Sequence, residues 1–107
     1  MELTQYSIVL VNLEPTMGSE MKKVRPCVIL SPDEMNQNLR TVIIAPMTSK
    51  LKGYPTRVPV VHHGTNGEVA LDQVRTIDRM RIIRVLDVLT EAEIVRIKET
   101  LYQIFVA

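Results

Sequence analysis

The stretch Val24–Ser31, VRPCVILS, decides the fold of this chain because it is a strand-like run with a charged residue, Arg25, near its start. Its Val, Ile and Leu residues favour a β-strand, and Pro26 is tolerated because it stands near the start of that strand. Cys27 lies inside the apolar run and is most simply a small buried hydrophobe. The overlapping stretch Gly18–Pro26, GSEMKKVRP, combines turn residues with charged ones, most of them basic. The sequence here predicts a strand that follows a polar, basic loop.

Similar apolar segments on both sides of this strand predict a mainly β domain. Residues 31–34 predict a turn or a single helical turn, and a bulge is expected near Asp72. His63–Gly67 is a strong hairpin signal, because Asn66-Gly67 supplies the positive φ angles of a tight turn. The other predicted strands are Tyr6–Leu13, Thr41–Pro46, Thr56–His62, Glu68–Leu71, Gln73–Asp78 and Ile82–Leu89.

The C-terminal segment predicts one amphipathic helix. Thr90 and Glu93 match a capping box, in which each side chain bonds the backbone amide of the other. Apolar residues then recur at helical spacing over about four turns. The whole chain, 1–107, is predicted to be a single domain, a small and strongly bent sheet or barrel with the helix packed on it.

Composition limits the classes of function. A net charge of +1 disfavours a generally basic nucleic-acid binder, but residues 21–60 hold seven bases and two acids. This local basic surface is enough to attract phosphate. Burying more surface in a dimer would help so small a domain. The lone Cys27 fits a reducing cytoplasm, and neither a membrane span nor a signal peptide is predicted.

Two polar loops are the candidate site. If the second and third predicted strands pair antiparallel, Arg25 and Thr48 fall at the same sheet edge, where an arginine and a hydroxyl suit a phosphodiester. The alternative is that these are ordinary solvated loop residues. His62 and His63 are adjacent and would face opposite sides of a strand, so a metal pair is not predicted. No cofactor is expected.

Several short motifs, in a fixed order along the chain, are similar to those of a known protein family. The sequence resembles the MazF/PemK (Kid) toxins of toxin–antitoxin systems, and its Lys-Gly-Tyr-Pro loop resembles the MazF branch. The matching segments are Glu14–Glu20, Arg25–Pro32, Pro46–Ser49, Lys52–Pro55, Asp72–Asp78 and the closing helix. The resemblance implies a homodimer of SH3-like barrels of the CcdB/PemK type. It also implies cleavage of single-stranded RNA at a short recognition sequence without a metal, and inhibition by a cognate MazE-like antitoxin.

The resemblance also implies roles for single residues. The family's catalytic arginine and threonine fall on Arg25 and Thr48, and its active-site glutamate falls on Glu20. The Kid branch pairs an arginine with the Asp of its Asp-Gln segment, whereas this chain has Ala70 in that place, which disfavours catalysis by Asp72. The predicted RNA-binding residues are Lys22, Asn36, Ser49, Lys50, Lys52, Tyr54 and Gln73.

Other functions remain open from sequence. A non-catalytic toxin on the same fold would bind a protein target such as DNA gyrase, as CcdB-like proteins do. A simple barrel would only bind an antitoxin-like peptide. The set Arg25, Thr48 and Glu20 favours the nuclease, because a binding module has no need of it. Asp72, Arg75 and Asp78 have a structural alternative, namely internal ion pairs on a half-buried strand.

Overall fold

The computed structural model describes residues 2–13 and 24–107. Within these ranges the chain forms strands, two helices and two short 3₁₀ turns at Leu71–Gln73 and Arg79–Arg81. The strands are β1 Ser7–Asn12, β2 Val24–Ile29, β3 Thr41–Thr48, β4 Arg57–His62, β5 Thr65–Ala70, β6 Arg75–Asp78 and β7 Ile82–Val88. The helices are α1 Asp33–Asn38 and α2 Glu91–Phe105.

The strands form a strongly bent sheet in the order β4-β5-β3-β2-β1-β7, with β6 also paired to β3. All the pairs are antiparallel. The central strands are buried on both faces, because alternate residues point to opposite sides of a strand. In β2, Val28 joins one apolar cluster, whereas Cys27 and Ile29 join the other. The result is a half-barrel, and the predicted mainly β fold with a C-terminal helix is confirmed.

Helix α2 covers the first of these clusters. Ile97 is fully buried there, and Ile94, Leu101 and Ile104 pack against the same core. The predicted capping box is present, with the Thr90 hydroxyl accepting from the Glu93 amide and the Glu93 carboxylate accepting from the Thr90 amide. In the described part of the chain, no helix combines the length and the apolarity needed to cross a membrane.

The hairpin turn lies within the predicted stretch His63–Gly67, but at its start and not at Asn66-Gly67. The turn is His63-Gly64, whose φ angles are +50° and +74°, and Asn66 and Gly67 lie within β5. This register pairs Val58 with Val69, and both side chains reach the same core. Burial of these side chains therefore outweighs the local preference of Asn-Gly for a turn. Strand β5 begins at Thr65 as a consequence, earlier than predicted.

Two further boundaries differ from the prediction. Residues 33–38 form a six-residue helix, α1, and β3 continues beyond Pro46 as far as Thr48. Where a bulge is predicted near Asp72, the chain instead forms the first 3₁₀ turn. The longer β3 matters for the site, because it holds Thr48 within a paired strand, opposite Glu68 of β5.

Candidate functional site at the β2–β3 edge

The start of β2 and the end of β3 bring Arg25 and Thr48 to one sheet edge. The antiparallel register pairs Cys27 with Pro46, and continuing it by two residues places Arg25 opposite Thr48. The Arg25 guanidinium donates to the Met47 carbonyl at 3.5 Å, which keeps it beside the end of β3. The sequence prediction that these two residues lie together is confirmed by this geometry; their chemical roles stay a prediction.

The hydroxyl of Thr48 is oriented by the loop that follows it. Its Oγ1 accepts a hydrogen bond from the Lys50 amide at 3.1 Å. Because a hydroxyl is both donor and acceptor, this contact uses a lone pair and leaves the proton available to donate. Thr48 is only half-buried, so an external acceptor can reach it. The arrangement suits donation to an anionic oxygen such as that of a phosphate.

Arg25 and Thr48 together line two adjoining cavities. The larger, of about 540 Å³, also contains Ser49, Lys50, His62 and Asn66 in its lining. The smaller, of about 160 Å³, is lined by the basic side chains Arg25, Lys50, Lys52 and Arg57, together with Thr48 and Gln73. Four bases around so small a space attract an anion. The basic surface predicted from residues 21–60 is therefore concentrated at this edge.

Glu68 of β5 holds the loop between β3 and β4 in place. Its carboxylate accepts from the backbone amides of Lys52 at 3.0 Å and Gly53 at 2.8 Å. These bonds, with the nearby Arg57 guanidinium, hold the pKa of Glu68 below its usual range, although its burial acts in the opposite direction. A buried carboxylate with these partners stays charged and fixes the backbone that carries Lys50 and Lys52.

Asp72 takes part in an ion pair. The Arg57 Nε lies 2.7 Å from Asp72 Oδ1, and Arg57 Nη2 donates to Oδ2 at 3.2 Å. Arg57 stands directly opposite Ala70 in the β4–β5 ladder, so an arginine reaches Asp72 from the neighbouring strand. Arg57 also lies 3.6 Å from Glu68, which joins the two acids into one network. Asp72 therefore forms an ion pair, as the structural alternative expects, but its partner is Arg57, a residue outside the expected set, and the pair is partly exposed.

Not all of the predicted site residues can be placed in the linings of these two cavities. Asn36 is 1% exposed, its Oδ1 accepts from the Ser31 hydroxyl at 2.5 Å, and its Nδ2 donates to the Ser31 carbonyl at 2.9 Å. The prediction that Asn36 contacts a base is wrong for this geometry, because its amide is buried and already paired. Tyr54 is half exposed and packs beside the Arg57 guanidinium, 5.1 Å from the ring centre. Glu20 and Lys22 lie outside the described residues.

Cys27 has the structural role predicted for it. Cys27 is a fully buried core residue of β2, and its thiol lies 3.6 Å from the Arg25 carbonyl. Burial raises its pKa to about 12, although Arg25 and Arg75 act in the opposite direction. A thiol with so high a pKa is not a nucleophile at neutral pH.

The polar residues of the cavity linings that were not predicted from sequence are Arg57, His62, Thr65 and Asn66. They come from β4 and β5, which had been assigned only a structural role. The available signal was the cluster of polar residues at the end of this hairpin, but the misplaced turn hid which of them face the site. Among the described residues, one group of side chains able to ligate a metal ion lies close together. It consists of His62, His63 and Asp87, at the end of β4 and in β7.

These observations define a class of protein, a small half-barrel whose sheet edge presents an arginine and a threonine in a basic cavity. Residues 4–105 match the family described as "PemK-like, MazF-like toxin of type II toxin-antitoxin system". Because the match spans nearly the whole chain, the chain belongs to this family. The predicted family is thereby confirmed.

Individual relatives are similar over long stretches. The "Endoribonuclease toxin MazF" of Escherichia coli (strain K12) is 36% identical over 70 residues, which cover 65% of this chain and 63% of that protein. The chain thus spans less than two thirds of the length of that relative. The "Endoribonuclease MazF" of Staphylococcus epidermidis is 31% identical over 100 residues, covering 88% of this chain and 83% of the relative.

Solved structures share the fold. MazF from Deinococcus radiodurans superimposes with a TM-score of 0.81 at 28% identity, covering 97% of this chain and 96% of that one. A MazE-MazF complex structure from the same organism contains a chain that matches with a TM-score of 0.81 at 26% identity, again over 97% and 96%.

Proposed function

We propose that this protein is a toxin that cleaves single-stranded RNA at a short recognition sequence, without a metal ion. The observation that carries the proposal is the position of Arg25 and Thr48, a cation and an oriented hydroxyl that line the same basic cavity. The family and the relatives named endoribonuclease support this activity over a gyrase-binding one. The lone, buried Cys27 fits a cytoplasmic location.

RNA supplies its own nucleophile in the proposed reaction. The ribose 2′-oxygen attacks the adjacent phosphorus, and the bond from phosphorus to the 5′-oxygen of the next nucleotide breaks. The products are a 2′,3′-cyclic phosphate and a 5′-hydroxyl, so water is not the nucleophile in this step. The enzyme has to accept the 2′-hydroxyl proton, protonate the leaving oxygen and stabilise the charge of the phosphorane.

The residues divide these tasks between them. Arg25 keeps its proton at any ordinary pH, so its task is to stabilise the charge on the phosphorane oxygens. The Thr48 hydroxyl, whose lone pair already accepts from Lys50, donates to the same group. We assign the 2′-hydroxyl proton to Glu20, the acid that precedes the basic loop, on the family resemblance. All three act directly on the reacting atoms and are therefore proposed catalytic residues, while the proton for the leaving 5′-oxygen comes from solvent.

RNA on either side of the cut would lie along the basic edge. Lys22, Lys50 and Lys52 are proposed to contact phosphates, and Ser49 and Gln73 to contact base edges, since Ser49, Lys50, Lys52 and Gln73 line the two cavities. The half-exposed ring of Tyr54 offers a surface on which an unpaired base can stack. Single strands suit such a site, because their base edges are open to side chains.

RNA cleavage in the presence of a chelator tests the proposal. A long unstructured RNA is incubated with the purified chain and excess EDTA, and the new ends are analysed for cyclic phosphate and 5′-hydroxyl groups. Arg25→Ala and Thr48→Val should each slow cleavage by about 10²–10³-fold, the usual cost of one donor to a developing anion. Thr48→Ser keeps the hydroxyl and should retain most of the rate.

The controls decide what a failure means. Each variant is checked for wild-type circular dichroism and thermal unfolding before its rate is interpreted. The assignment fails if folded Arg25→Ala and Thr48→Val cleave at the wild-type rate, and the proposed activity fails if the wild-type chain leaves RNA intact under chelation.

We further propose that the protein is a homodimer held inactive by a MazE-like antitoxin. Apolar side chains are exposed on β7, on α2 and just after α2, among them Ile83, Val85, Val88, Tyr102, Phe105 and Val106. Exposed apolar surface of this kind is typical of protein–protein contacts. Sedimentation of the purified chain should give about twice its mass of 12.2 kDa. A monomer at micromolar concentration, or undiminished cleavage in the presence of the antitoxin encoded beside it, would contradict the corresponding part.

A further inference from the structure

His62, His63 and Asp87 bring three potential metal ligands together, and of the three only His62 also lines a cavity of the proposed RNA site. His62 ends β4, His63 is the first residue of the following turn, and Asp87 lies near the end of β7. One ligand atom from each of the three lies within 4.8 Å of the other two. Two imidazoles and one carboxylate form a ligand set that is common in zinc proteins.

The turn explains how two adjacent histidines share one side. In a continuing strand they would point to opposite faces, but His63 has a φ angle of +50°, which rotates its side chain out of the alternation. The two rings lie 4.2 Å apart between centroids, tilted by 56°. The expectation that they face opposite sides is therefore wrong, and the reason is the His63-Gly64 turn.

One nitrogen of His62 is already placed like a ligand. Its Nδ1 is buried and has no hydrogen-bond partner among the described residues, although it lies 3.3 Å from Asp87 Oδ2. Zinc bonds to nitrogen and carboxylate oxygen of about 2.0–2.2 Å imply roughly 3.3–3.5 Å between two ligands at a tetrahedral angle. The pair His62–Asp87 thus has the spacing of one edge of a zinc tetrahedron.

Asp87 is prepared to bind a cation. Its Oδ1 accepts from the Val88 amide at 2.8 Å, which fixes the carboxylate. The other oxygen, Oδ2, is the one that lies beside His62 Nδ1. His63 and Asp87 are exposed, which gives an ion access from solvent.

We propose that His62, His63 and Asp87 bind one Zn²⁺ ion, with water as the fourth ligand. The ion would link β4 and β7, the two end strands of the sheet order, and so hold the half-barrel closed. Binding only the folded chain, it would raise the temperature of unfolding. The ion is not a reactant in the proposed RNA cleavage, although His62 also lines the larger cavity, and metal binding is measured independently of RNA cleavage.

Metal binding by the full chain, freed of any histidine tag and dialysed against EDTA, tests this site. Zn²⁺ is titrated by calorimetry, Co²⁺ serves as a spectroscopic probe of tetrahedral geometry, and unfolding temperature is measured with and without Zn²⁺. His63→Asn removes one ligand and suits a turn with positive φ. Asp87→Asn removes another, and Glu99→Gln removes an exposed carboxylate on α2 as the matched control.

We expect one Zn²⁺ per chain, tetrahedral Co²⁺ absorption and a higher unfolding temperature with Zn²⁺. Both ligand variants should lose at least tenfold in affinity, and Glu99→Gln should match the wild type. Without metal, an unchanged unfolding temperature of His63→Asn verifies its fold. The site does not exist if the wild-type chain fails to bind one Zn²⁺ specifically, or if both folded ligand variants bind as tightly as the wild type; His62 and Asp87 are then only an ion pair.

Discussion

At the scale of single residues, the position of Thr48 depends on a glycine in the neighbouring strand. A Cβ added to Gly67 would lie 3.1 Å from the Thr48 carbonyl oxygen, closer than such contacts normally allow. Gly67 is therefore needed for close approach of β5 to β3, in agreement with its place inside a strand. The residue predicted to make a turn instead sets the position of the proposed catalytic hydroxyl.

This dependence predicts the effect of Gly67→Ala. The added methyl should displace Thr48 by a few tenths of an ångström and slow RNA cleavage by about tenfold, since misplacement by 1 Å can cost about 10²-fold. Single-turnover cleavage at saturating enzyme measures the chemical step. Val61→Ala, an exposed position on the same hairpin, serves as the control and should cleave at the wild-type rate. A wild-type rate in folded Gly67→Ala would show that Thr48 tolerates the shift.

The positions of some residues of the site could be predicted from the sequence, and those of others could not. Arg25 and Thr48 could be placed together, because two adjacent apolar segments with a basic loop imply an antiparallel pair with a shared edge. Glu68 could not be recognised, because its partners Lys52 and Gly53 lie 16 and 15 residues earlier in the chain. Asn36 looked available because it stands in a polar run, and only the packing of α1 shows that it is buried.

At the scale of elements, local signals predicted α2 well and the hairpin poorly. The capping box and the apolar spacing are both local, so the sequence contains all the information they need. The β4–β5 turn depends instead on which valines reach the core and on the space beside Thr48. These long-range contacts outweigh the local preference of Asn-Gly for a turn, so the turn lies at His63-Gly64.

Helix α2 also has a contact that no local pattern shows. The Glu93 carboxylate accepts from the Thr90 amide at one oxygen, and its other oxygen accepts from the Val61 amide of β4 at 2.9 Å. An end strand has amides without a neighbouring strand, and a side chain that bonds one of them protects that edge. A residue predicted only to cap its own helix thus also holds α2 against the half-barrel.

At the scale of the whole molecule, buried or paired carboxylates link separate parts of the half-barrel. Glu68 joins β5 to the loop before β4, Asp72 joins the first 3₁₀ turn to Arg57, and Asp87 lies beside His62 across the two end strands. Charged side chains therefore contribute more to linking the parts of this fold than the net charge of +1 indicates. The basic cavity and these acids are parts of one arrangement, since Arg57 contributes to both.

These carboxylates predict how stability depends on pH. The pKa is lowered in the folded state for Glu68 mainly by the amides of Lys52 and Gly53, for Asp72 mainly by Arg57, and for Asp87 mainly by the Val88 amide. A group whose folded pKa is lowered stabilises the protein above its unfolded pKa, here 4.5 for Glu68 and 3.8 for the two aspartates. That stabilisation is lost as the pH falls through the folded pKa.

The free energy of unfolding should accordingly be steady near neutral pH and fall as the solution is acidified below about pH 4.5. Urea unfolding at a series of pH values measures it, followed by circular dichroism because the chain has no Trp. Glu68→Gln should be less stable than the wild type at pH 7, and the difference should shrink as the pH falls from 4.5 to 3, because the unfolded carboxylate binds a proton more readily there than the folded one. Glu99→Gln, which changes an exposed acid, should follow the wild-type curve throughout. A Glu68→Gln difference that stays constant from pH 7 to pH 3 would mean that its charge does not stabilise the loop, and that only the shape of the side chain matters there.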